Sequence, residues 1–235
     1  MFYNPILKKD NRRTYYMVLD TETATYNENV KVVRGTNMLV YDLGYAIVDK
    51  RGSIYETGSY IVKEIFYDEI ERMRTCYFAD KRAMYIQDIE YGIHTVINWP
   101  DLIFLLEERC LVWNVRAICA YNAIFDYGSI CRTNNYINGK YWEPPLLKKY
   151  PMWDIMKMVK DTIYNRPTYQ KFCFNNGNIT KHNKPRAQMK AETVKRYLEN
   201  NPMYKEIHTG LEDVLIESEI LAKCFSTRKK MRREL

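Results

Sequence analysis

Three apolar segments near the start of the chain constrain its fold more than any other feature. Residues 14–20 (TYYMVLD) and 38–49 (MLVYDLGYAIVD) are rich in apolar, β-branched and aromatic side chains, which favour strands. A KRGS turn leads into a third such segment at 54–62 (IYETGSYIV). Because a short glycine-containing turn joins the last two, the segments predict a three-strand meander with a hairpin between its second and third strands.

Short strands and helices alternate along the rest of the chain. A run of strands followed by such alternation predicts an α/β fold in which a mixed five-stranded sheet is flanked by helices. The further elements predicted by the pattern are strands at 116–121 (RAICAY) and near 148–153, and helices over 101–112, from about Ala123, over 154–165, over 189–199 and over 211–225.

The chain length predicts one domain over 1–235, since 235 residues can bury a sizeable core. Residues 64–98 are charged and aromatic and fall between two predicted elements, so we expect a helical insertion there. Residues 170–188, rich in Asn, Lys and Gly, predict a basic loop, and residues 226–235 predict a basic tail. The cations of this tail either favour a helix C-terminus or track phosphates.

Charge and composition indicate a polyanionic partner and a reducing compartment. The 36 basic residues outnumber the 29 acidic ones, which gives a net charge of +7. The N-terminus has no apolar stretch of signal-peptide length, and no apolar run approaches the ~18 residues of a membrane-spanning helix. We therefore expect a cytoplasmic protein with no membrane partner, and its six scattered cysteines are expected to be free thiols.

Two carboxylates follow the first apolar segment at a spacing that places them on one face. Side chains two residues apart on a strand point the same way, so Asp20 and Glu22 (VLDTET) share a side at the strand end. Like charges this close disfavour joint ionisation unless a cation such as a hard divalent ion lies between them. The same D-x-E spacing recurs at Asp88 and Glu90, but there the segment predicts an exposed helix. Only the first pair predicts a metal site, and the alternative is a polar strand end that faces water.

A third carboxylate lies just after the predicted strand at 116–121. Asn122 occupies the expected N-cap position of the next helix, and Asp126 falls at the start of its second turn. From there the Asp126 side chain can reach the carboxyl end of the strands, where ligands gather in open α/β sheets. The alternative is a carboxylate that interacts only with the helix dipole.

His208 and Asp213 flank the start of the last predicted helix. Thr209 and Glu212 match a capping box, which places Asp213 early in the helix and His208 in the preceding loop. A loop histidine has a pKa near neutrality and can accept a proton from a reacting group. A surface histidine beside a satisfied helix N-terminus is the alternative.

Together these segments resemble the motifs of the DEDDh 3′–5′ exonucleases, the ribonuclease H-like family that includes the proofreading epsilon subunit of bacterial DNA polymerase III. VLDTET resembles the first motif, AICAYNAIFD the second, and HTGLED the third, with its H-x4-D spacing. WDIM at 153–156 is similar to a further strand-to-helix element. Thr209 stands where a related subclass has tyrosine, so the histidine subclass fits. Ala24 replaces a usual glycine, and the insertion at 64–98 leaves substrate preference open.

This resemblance implies a catalytic set and a cofactor. Asp20, Glu22, Asp126 and Asp213 would bind two Mg²⁺ (or Mn²⁺) ions, and His208 would act as general base. The implied substrate is a nucleic acid 3′ end, foremost single-stranded DNA, the implied products are nucleoside 5′-monophosphates, and replication proteins are candidate partners. The residues expected to bind substrate are Thr21, Thr23, Asn122, Lys181, Lys184 and Arg186.

Other functions stay open at this stage. One alternative is an RNA 3′–5′ exonuclease or oligoribonuclease of the same fold, which the 2′-hydroxyl of the substrate would distinguish. Another is a ribonuclease H-like endonuclease, which would cleave circular substrates. A non-catalytic nucleic-acid-binding subunit is a third, although such a subunit has no need to retain five catalytic groups.

Overall fold

An antiparallel meander forms one half of the sheet, as the three apolar segments predict. The computed structural model describes residues 9–25, 37–76, 79–139 and 143–235. The meander consists of β1 (Tyr15–Ala24), β2 (Leu39–Asp49) and β3 (Ile54–Val62). Strand β1 pairs with β2, and β2 pairs with β3, both antiparallel. Because β1 extends through Ala24, the D-x-E pair lies within the strand rather than at its end.

Three further strands extend the sheet to six. Strand β4 (Thr95–Ile97) runs parallel to β3, β5 (Val115–Ala120) runs parallel to β1, and β6 (Met152–Asp154) runs parallel to β5. The strand order is β4–β3–β2–β1–β5–β6. The mixed α/β sheet is confirmed, but the predicted number of five strands is wrong. The missed strand, β4, has only three residues and lies inside the charged segment 64–98.

The described residues also form ten α-helices, a 3₁₀ turn and a π-helical turn. The α-helices are α1 (Lys63–Phe66), α2 (Ile70–Thr75), α3 (Arg82–Glu90), α4 (Trp99–Trp113), α5 (Ile124–Asn138), α6 (Pro145–Lys149), α7 (Ile155–Val159), α8 (Pro167–Asn175), α9 (Ala191–Glu199) and α10 (Gly210–Ser226). The 3₁₀ turn is Ala79–Lys81 and the π-helical turn is Lys160–Tyr164.

Helices cover both faces of the sheet, and strand β2 is accordingly buried along its whole length. Met17 and Leu19 of β1 belong to one core layer, which includes residues of α4 and α5. Tyr16 and Val18 belong to the other layer, which includes residues of α7 to α10. Successive residues of β1 therefore face opposite layers, as strand geometry requires.

Two predicted segments have a different structure from the one expected. Helix α8 occupies the first part of the expected basic loop at 170–188, so the irregular backbone starts only after Asn175. The helix predicted over 154–165 begins as α7 but continues as a π-helical turn. The expected insertion at 64–98 contributes buried side chains, including Phe66 and Tyr85, to the first core layer.

The basic C-terminal segment packs along β6. The backbone N–H of Asp154 donates to the carbonyl of Arg233 at 2.6 Å. The guanidinium of Arg232 donates to both carboxylate oxygens of Asp161, at 3.0 and 2.7 Å, and that of Arg233 lies over the Trp153 ring. These two cations are therefore bound to the protein itself.

The cysteine residues form no disulfide bond in this structure. All six cysteines are free thiols, and only Cys131 is not fully buried. Within the part of the chain that the structure describes, no helix combines the length and apolarity needed to cross a bilayer.

Two glycines allow the start of α10 to lie directly on β2. A Cβ atom built on Gly44 would lie 2.2 Å from the carbonyl carbon of Gly210. One built on Gly210 would lie 2.6 Å from the backbone nitrogen of Gly44. Both obstacles are backbone atoms, which cannot rotate away as a side chain can. The two backbones therefore touch only because neither residue carries a side chain.

Replacing Gly44 by alanine should destabilise the protein. The added methyl group must displace α10 from β2, and overpacking of this kind typically costs about 1–3 kcal/mol. Urea denaturation would measure the loss of unfolding free energy. Gly128→Ala is the matched control, because its Cβ would meet only the flexible end of Arg132, at 2.9 Å. Equal stability of the two variants would contradict the backbone contact.

Candidate active site

The D-x-E pair on β1 faces the layer that contains α10. Tyr16 and Val18 face this layer, and the alternation along β1 places Asp20 and Glu22 on the same side. The register sets Asp20 opposite Gly44 of β2, which is the residue that α10 touches. The first turn of α10 is thereby held next to both carboxylates.

Asp126 reaches the same edge of the sheet from the opposite layer. It lies in the first turn of α5 and is only 1% exposed. Thr21, which alternates with the D-x-E pair, donates both its backbone N–H (3.1 Å) and its hydroxyl (2.8 Å) to Asp126 Oδ1. These two hydrogen bonds fix the carboxylate beside β1. In this structure the Thr21 hydroxyl is therefore engaged by Asp126, and its contact with substrate stays a prediction.

The start of α5 differs from the predicted cap. Ala123, not Asn122, is the N-cap residue, and Asp126 lies in the first turn rather than the second. Asn122 has a left-handed backbone with φ of 61°, a conformation that asparagine tolerates better than most residues. Its carbonyl accepts a hydrogen bond from the N–H of Phe125 at 2.8 Å, and its side chain is exposed. The tight turn at Asn122 thus makes the helix begin one residue later than the capping pattern predicts.

The start of α10 is capped from the sheet rather than by the predicted capping box. Thr209 is the N-cap residue, but its hydroxyl donates to Glu212 (3.3 Å) instead of accepting from the helix backbone. Asp42 of β2 accepts the N–H of Gly210 at 2.9 Å and the hydroxyl of Tyr85 at 2.8 Å. A carboxylate from the sheet therefore satisfies the first orphan donor of the helix.

His208 and two carboxylates form a compact group. One possible ligand atom each from Glu22, His208 and Asp213 lies within 4.8 Å of the other two. The Nδ1 atom of His208 is 3.7 Å from Asp213 Oδ2 and 3.6 Å from Glu206 Oε2. The His208 backbone is left-handed, with φ of 60°, and Thr209 and Gly210 after it are buried. The loop conformation thus brings the histidine to the carboxylates.

Burial and mutual repulsion raise the pKa values of the clustered carboxylates. Burial is the main cause at Glu22, whose pKa rises to about 9, and the negative charges of Asp42 and Asp213 add to it. Burial likewise raises the pKa of Asp213 to about 7. The pKa of Asp126 rises to about 7 despite the hydrogen bonds from Thr21.

Asp20 has the most acidic surroundings of the set. Burial raises its pKa well above the ordinary value, and the charges of Glu217, Asp126, Glu22 and Asp213 raise it further, in that order. Glu217 is a residue that the sequence analysis missed. It is 3% exposed on α10, its Oε2 accepts the N–H of Tyr121 at 3.2 Å, and burial raises its pKa too. Its position four residues after Asp213, on the same helix face, was the available signal.

Lys81, also missed, brings a positive charge from segment 64–98 to this acidic site. Its Nζ donates to the backbone carbonyls of Ile207 (2.6 Å) and His208 (2.9 Å). Its charge lowers the pKa of Glu22 and Asp213, which opposes the effect of burial. The pKa of His208 is lowered by burial and then by Lys81. Lys81 therefore both holds the histidine loop and favours the neutral imidazole.

The other expected substrate residues lie around the site rather than in it. Thr23 is partly exposed on β1, one residue beyond Glu22. Lys181 and Lys184 are exposed in the loop after α8. Arg186, in the same loop, and Asn122 line a common cleft.

The donor set fits a hard divalent cation. Three ligand atoms lie close together, and Asp213 Oδ1 is a buried oxygen with no hydrogen-bond partner among the described residues. Carboxylate oxygens are the ligands that Mg²⁺ and Mn²⁺ prefer, and a cation would remove the repulsion that raises these pKa values. Glu22 and Asp213 are the residues best placed to hold it, with Asp20 and Asp126 adjacent.

Replacing Lys81 by methionine should raise the pKa of His208. The substitution removes a positive charge that disfavours the imidazolium and also frees the loop carbonyls. Titration of the three histidines by NMR would measure the shift. Lys63→Met is the control, because Lys63 pairs with Asp68 in an exposed ion pair away from the site. An unchanged His208 pKa in Lys81→Met would contradict the assigned contact.

The raised pKa of Glu22 makes the metal-free protein less stable at high pH. Between an ordinary value of 4.5 and about 9, the folded state retains a proton that the unfolded chain has released, so this contribution to stability falls as pH rises. Glu22→Gln should therefore gain Tm relative to the wild type as pH increases from 5 to 9, with chelator present. Glu90→Gln, on exposed helix surface, serves as the control and should track the wild type. A pH-independent Tm difference for Glu22→Gln would refute this linkage.

Comparisons with known proteins are informative at the level of structure. No family model and no curated protein sequence matches the chain. The nuclease domain of 3′hExo, a DEDDh family member bound to rAMP, has a TM-score of 0.56 at 12% identity, covering 96% of this chain and 100% of that domain. E. coli exonuclease I with a dT13 oligonucleotide labelled 5cy has a TM-score of 0.54 at 14% identity.

Exonuclease I is the longer protein, so the similarity is to part of it. The match covers 92% of this chain and 41% of that one. The zinc-bound form of the E. coli ExoI–ssDNA complex gives a TM-score of 0.55 at 15% identity, with the same coverage. Identities in this range establish the fold alone. The chain thus has the fold of the DEDDh exonuclease domains, which confirms the fold implied by its three motifs.

Proposed function

We propose that this chain is a metal-dependent 3′–5′ exonuclease that releases nucleoside 5′-monophosphates from single-stranded DNA ends. The main support is the compact group formed by Glu22, His208 and Asp213, which come from two distant segments of the chain. This group lies beside Asp20 and Asp126. A polar strand end and a capped helix would each explain one segment. Neither explanation accounts for the convergence of these segments in a site where the pKa of every carboxylate is raised.

Asp20, Glu22, Asp126 and Asp213 would hold two Mg²⁺ or Mn²⁺ ions. When bound, such ions activate a water molecule and stabilise the charge that develops on the attacking and leaving oxygens. A zinc-bound complex of E. coli exonuclease I with single-stranded DNA, which shares the fold, supports a role for a divalent ion. The number and identity of the ions are part of the proposal.

His208 would accept the proton of the attacking water. A general base must be neutral at the working pH, and burial and the charge of Lys81 lower the His208 pKa, which favours this form. The histidine is 45% exposed at its side chain, so water and a terminal nucleotide can reach it. The two hydrogen bonds from Thr21 would keep Asp126 in one orientation throughout.

Removing the D-x-E carboxylates should abolish hydrolysis. Asp20→Asn with Glu22→Gln eliminates two ligands without changing side-chain size, so we expect loss of Mn²⁺ binding in calorimetry and a rate at least about 10³-fold lower on 5′-labelled single-stranded DNA. The matched control is Asp88→Asn with Glu90→Gln, the same motif on helix α3. Digestion by the first variant at the rate of the control would contradict the assigned site.

An RNA 3′–5′ exonuclease of the same fold is the second candidate. The 3′hExo nuclease domain that shares the fold was crystallised with rAMP, whereas exonuclease I was crystallised with a DNA oligonucleotide, so the fold is compatible with either sugar. Digestion of matched DNA and RNA oligonucleotides side by side distinguishes the two.

A circular substrate and a binding measurement separate the remaining alternatives. A ribonuclease H-like endonuclease would cleave a circular single strand, which an end-dependent enzyme leaves intact. A non-catalytic subunit would bind the oligonucleotide and release no mononucleotide. Association with replication proteins stays a prediction.

A further inference from the structure

An open cleft of about 700 Å³ lies beside the carboxylate site. Its walls come from the end of β5, from α7 with the π-helical turn, and from the chain between α8 and α9. Asn122, two residues after β5, is four residues from Asp126 and is exposed in the cleft. The cleft therefore adjoins the proposed carboxylate site.

The cleft has the opposite charge to the site that it adjoins. Lys160, Arg186 and Lys190 line it, and no lining residue is acidic. All three side chains are exposed, and among the described residues none lies within ion-pair distance of a carboxylate. In contrast, Arg232 and Lys195 are bound by carboxylates of the protein. The three cleft cations are thus available to a polyanion.

A local departure from α-helical geometry shapes one wall of the cleft. Lys160 and Tyr164, the first and last residues of the π-helical turn, both line it. A π-helical turn shifts the side chains that follow it relative to a regular helix, and such turns are frequent at functional sites. Tyr164 is partly exposed, so its ring can contact a base while Lys160 contacts a phosphate.

Two interactions link the cleft to the acidic site. The backbone N–H of Tyr121 donates to Glu217 at 3.2 Å, and its hydroxyl donates to the carbonyl of Met189 in the opposite wall at 2.7 Å. Lys190 lies close enough to His208 for its charge to lower the pKa of the imidazole. A strand whose 3′ end occupies the carboxylate site would meet this cleft next.

We propose that the cleft binds the single-stranded segment immediately 5′ of the scissile phosphodiester. Backbone phosphates would contact Lys160, Arg186 and Lys190, and a base would stack on Tyr164. This inference rests on the proposed exonuclease function and adds to it the residues that hold the unpaired nucleotides upstream of the 3′ end. A paired strand brings its complement with it, and a cleft that contacts one strand on both walls excludes the complement.

The experiment compares a substrate that fills the cleft with one that does not. The first is a 5′-labelled single-stranded oligonucleotide, and the second is the 4-nitrophenyl ester of thymidine 5′-monophosphate, which has no upstream nucleotides. For Lys160→Gln with Arg186→Gln, we expect the ratio of kcat/KM on the oligonucleotide to that on the ester to fall about 10–100-fold. Oligonucleotide binding by this variant, measured with chelator present, should depend less on salt. The slope of log K against log salt should become shallower by about 1.4, since each single-strand phosphate contact contributes about 0.7.

Two further variants make the result specific. Lys171→Gln with Lys223→Gln removes the same charge from exposed sites on α8 and α10 outside the cleft, and should leave both the ratio and the slope unchanged. Lys160→Arg with Arg186→Lys keeps the charge and should restore most of the ratio, which excludes misfolding as the cause of its loss.

The outcomes separate this inference from the function on which it rests. If the wild type hydrolyses neither substrate, the proposed exonuclease function is wrong. If it hydrolyses both but the glutamine variant matches the Lys171 and Lys223 control, the cleft assignment is overturned. Equal digestion of a blunt duplex and a single strand by the wild type would likewise overturn the requirement for an unpaired segment.

Discussion

The contact between Gly44 and Gly210 is the constraint on which the site depends. The carboxylates of β1 point towards α10, and only a helix whose backbone touches the sheet can bring its own first-turn carboxylate among them. A Cβ on either residue would overlap the opposite backbone, at 2.2 Å and 2.6 Å. Asp42 strengthens the contact because it accepts the N–H of Gly210. The packing of α10 on β2 therefore also brings the carboxylates of the site together.

Docking the helix so closely creates an electrostatic cost that the protein only partly offsets. Glu217 and Asp213 arrive on α10 beside Asp20, and burial and repulsion raise the pKa of each. Lys81 lowers the pKa of Asp213, but a single lysine at the rim does not balance the charges. At neutral pH the metal-free site must hold protons or recruit a cation, and a divalent ion relieves more repulsion than a proton does. The arrangement therefore favours metal binding without any dedicated cage.

Short-range patterns predicted the sheet and the segments that meet at the candidate site, while features set by tertiary contacts escaped prediction. The apolar runs of β1 and β2 are strong local signals, and motif order linked Asp20 with Asp126 and Asp213. Strand β4 has three residues and exists because β3 offers it a parallel edge. Lys81 is 127 residues from His208, to whose carbonyl it donates, and no local pattern encodes such a separation. The capping-box pattern of Thr209 was present, but the Thr209 hydroxyl donates to Glu212, and the carboxylate of Asp42 accepts the N–H of Gly210.

Tyr121 fixes the acidic site and the basic cleft relative to each other. Its N–H donates to Glu217 on the acidic side and its hydroxyl donates to Met189 on the basic side, so the two regions cannot shift independently. A polyanionic strand is attracted by the cleft but repelled by the metal-free carboxylates, and ions in the proposed site reverse that repulsion. Bound metal would thus decide whether the last phosphodiester enters the site, while the cleft would hold the preceding nucleotides in either state. The order of charges along the path therefore favours entry of a strand by its end.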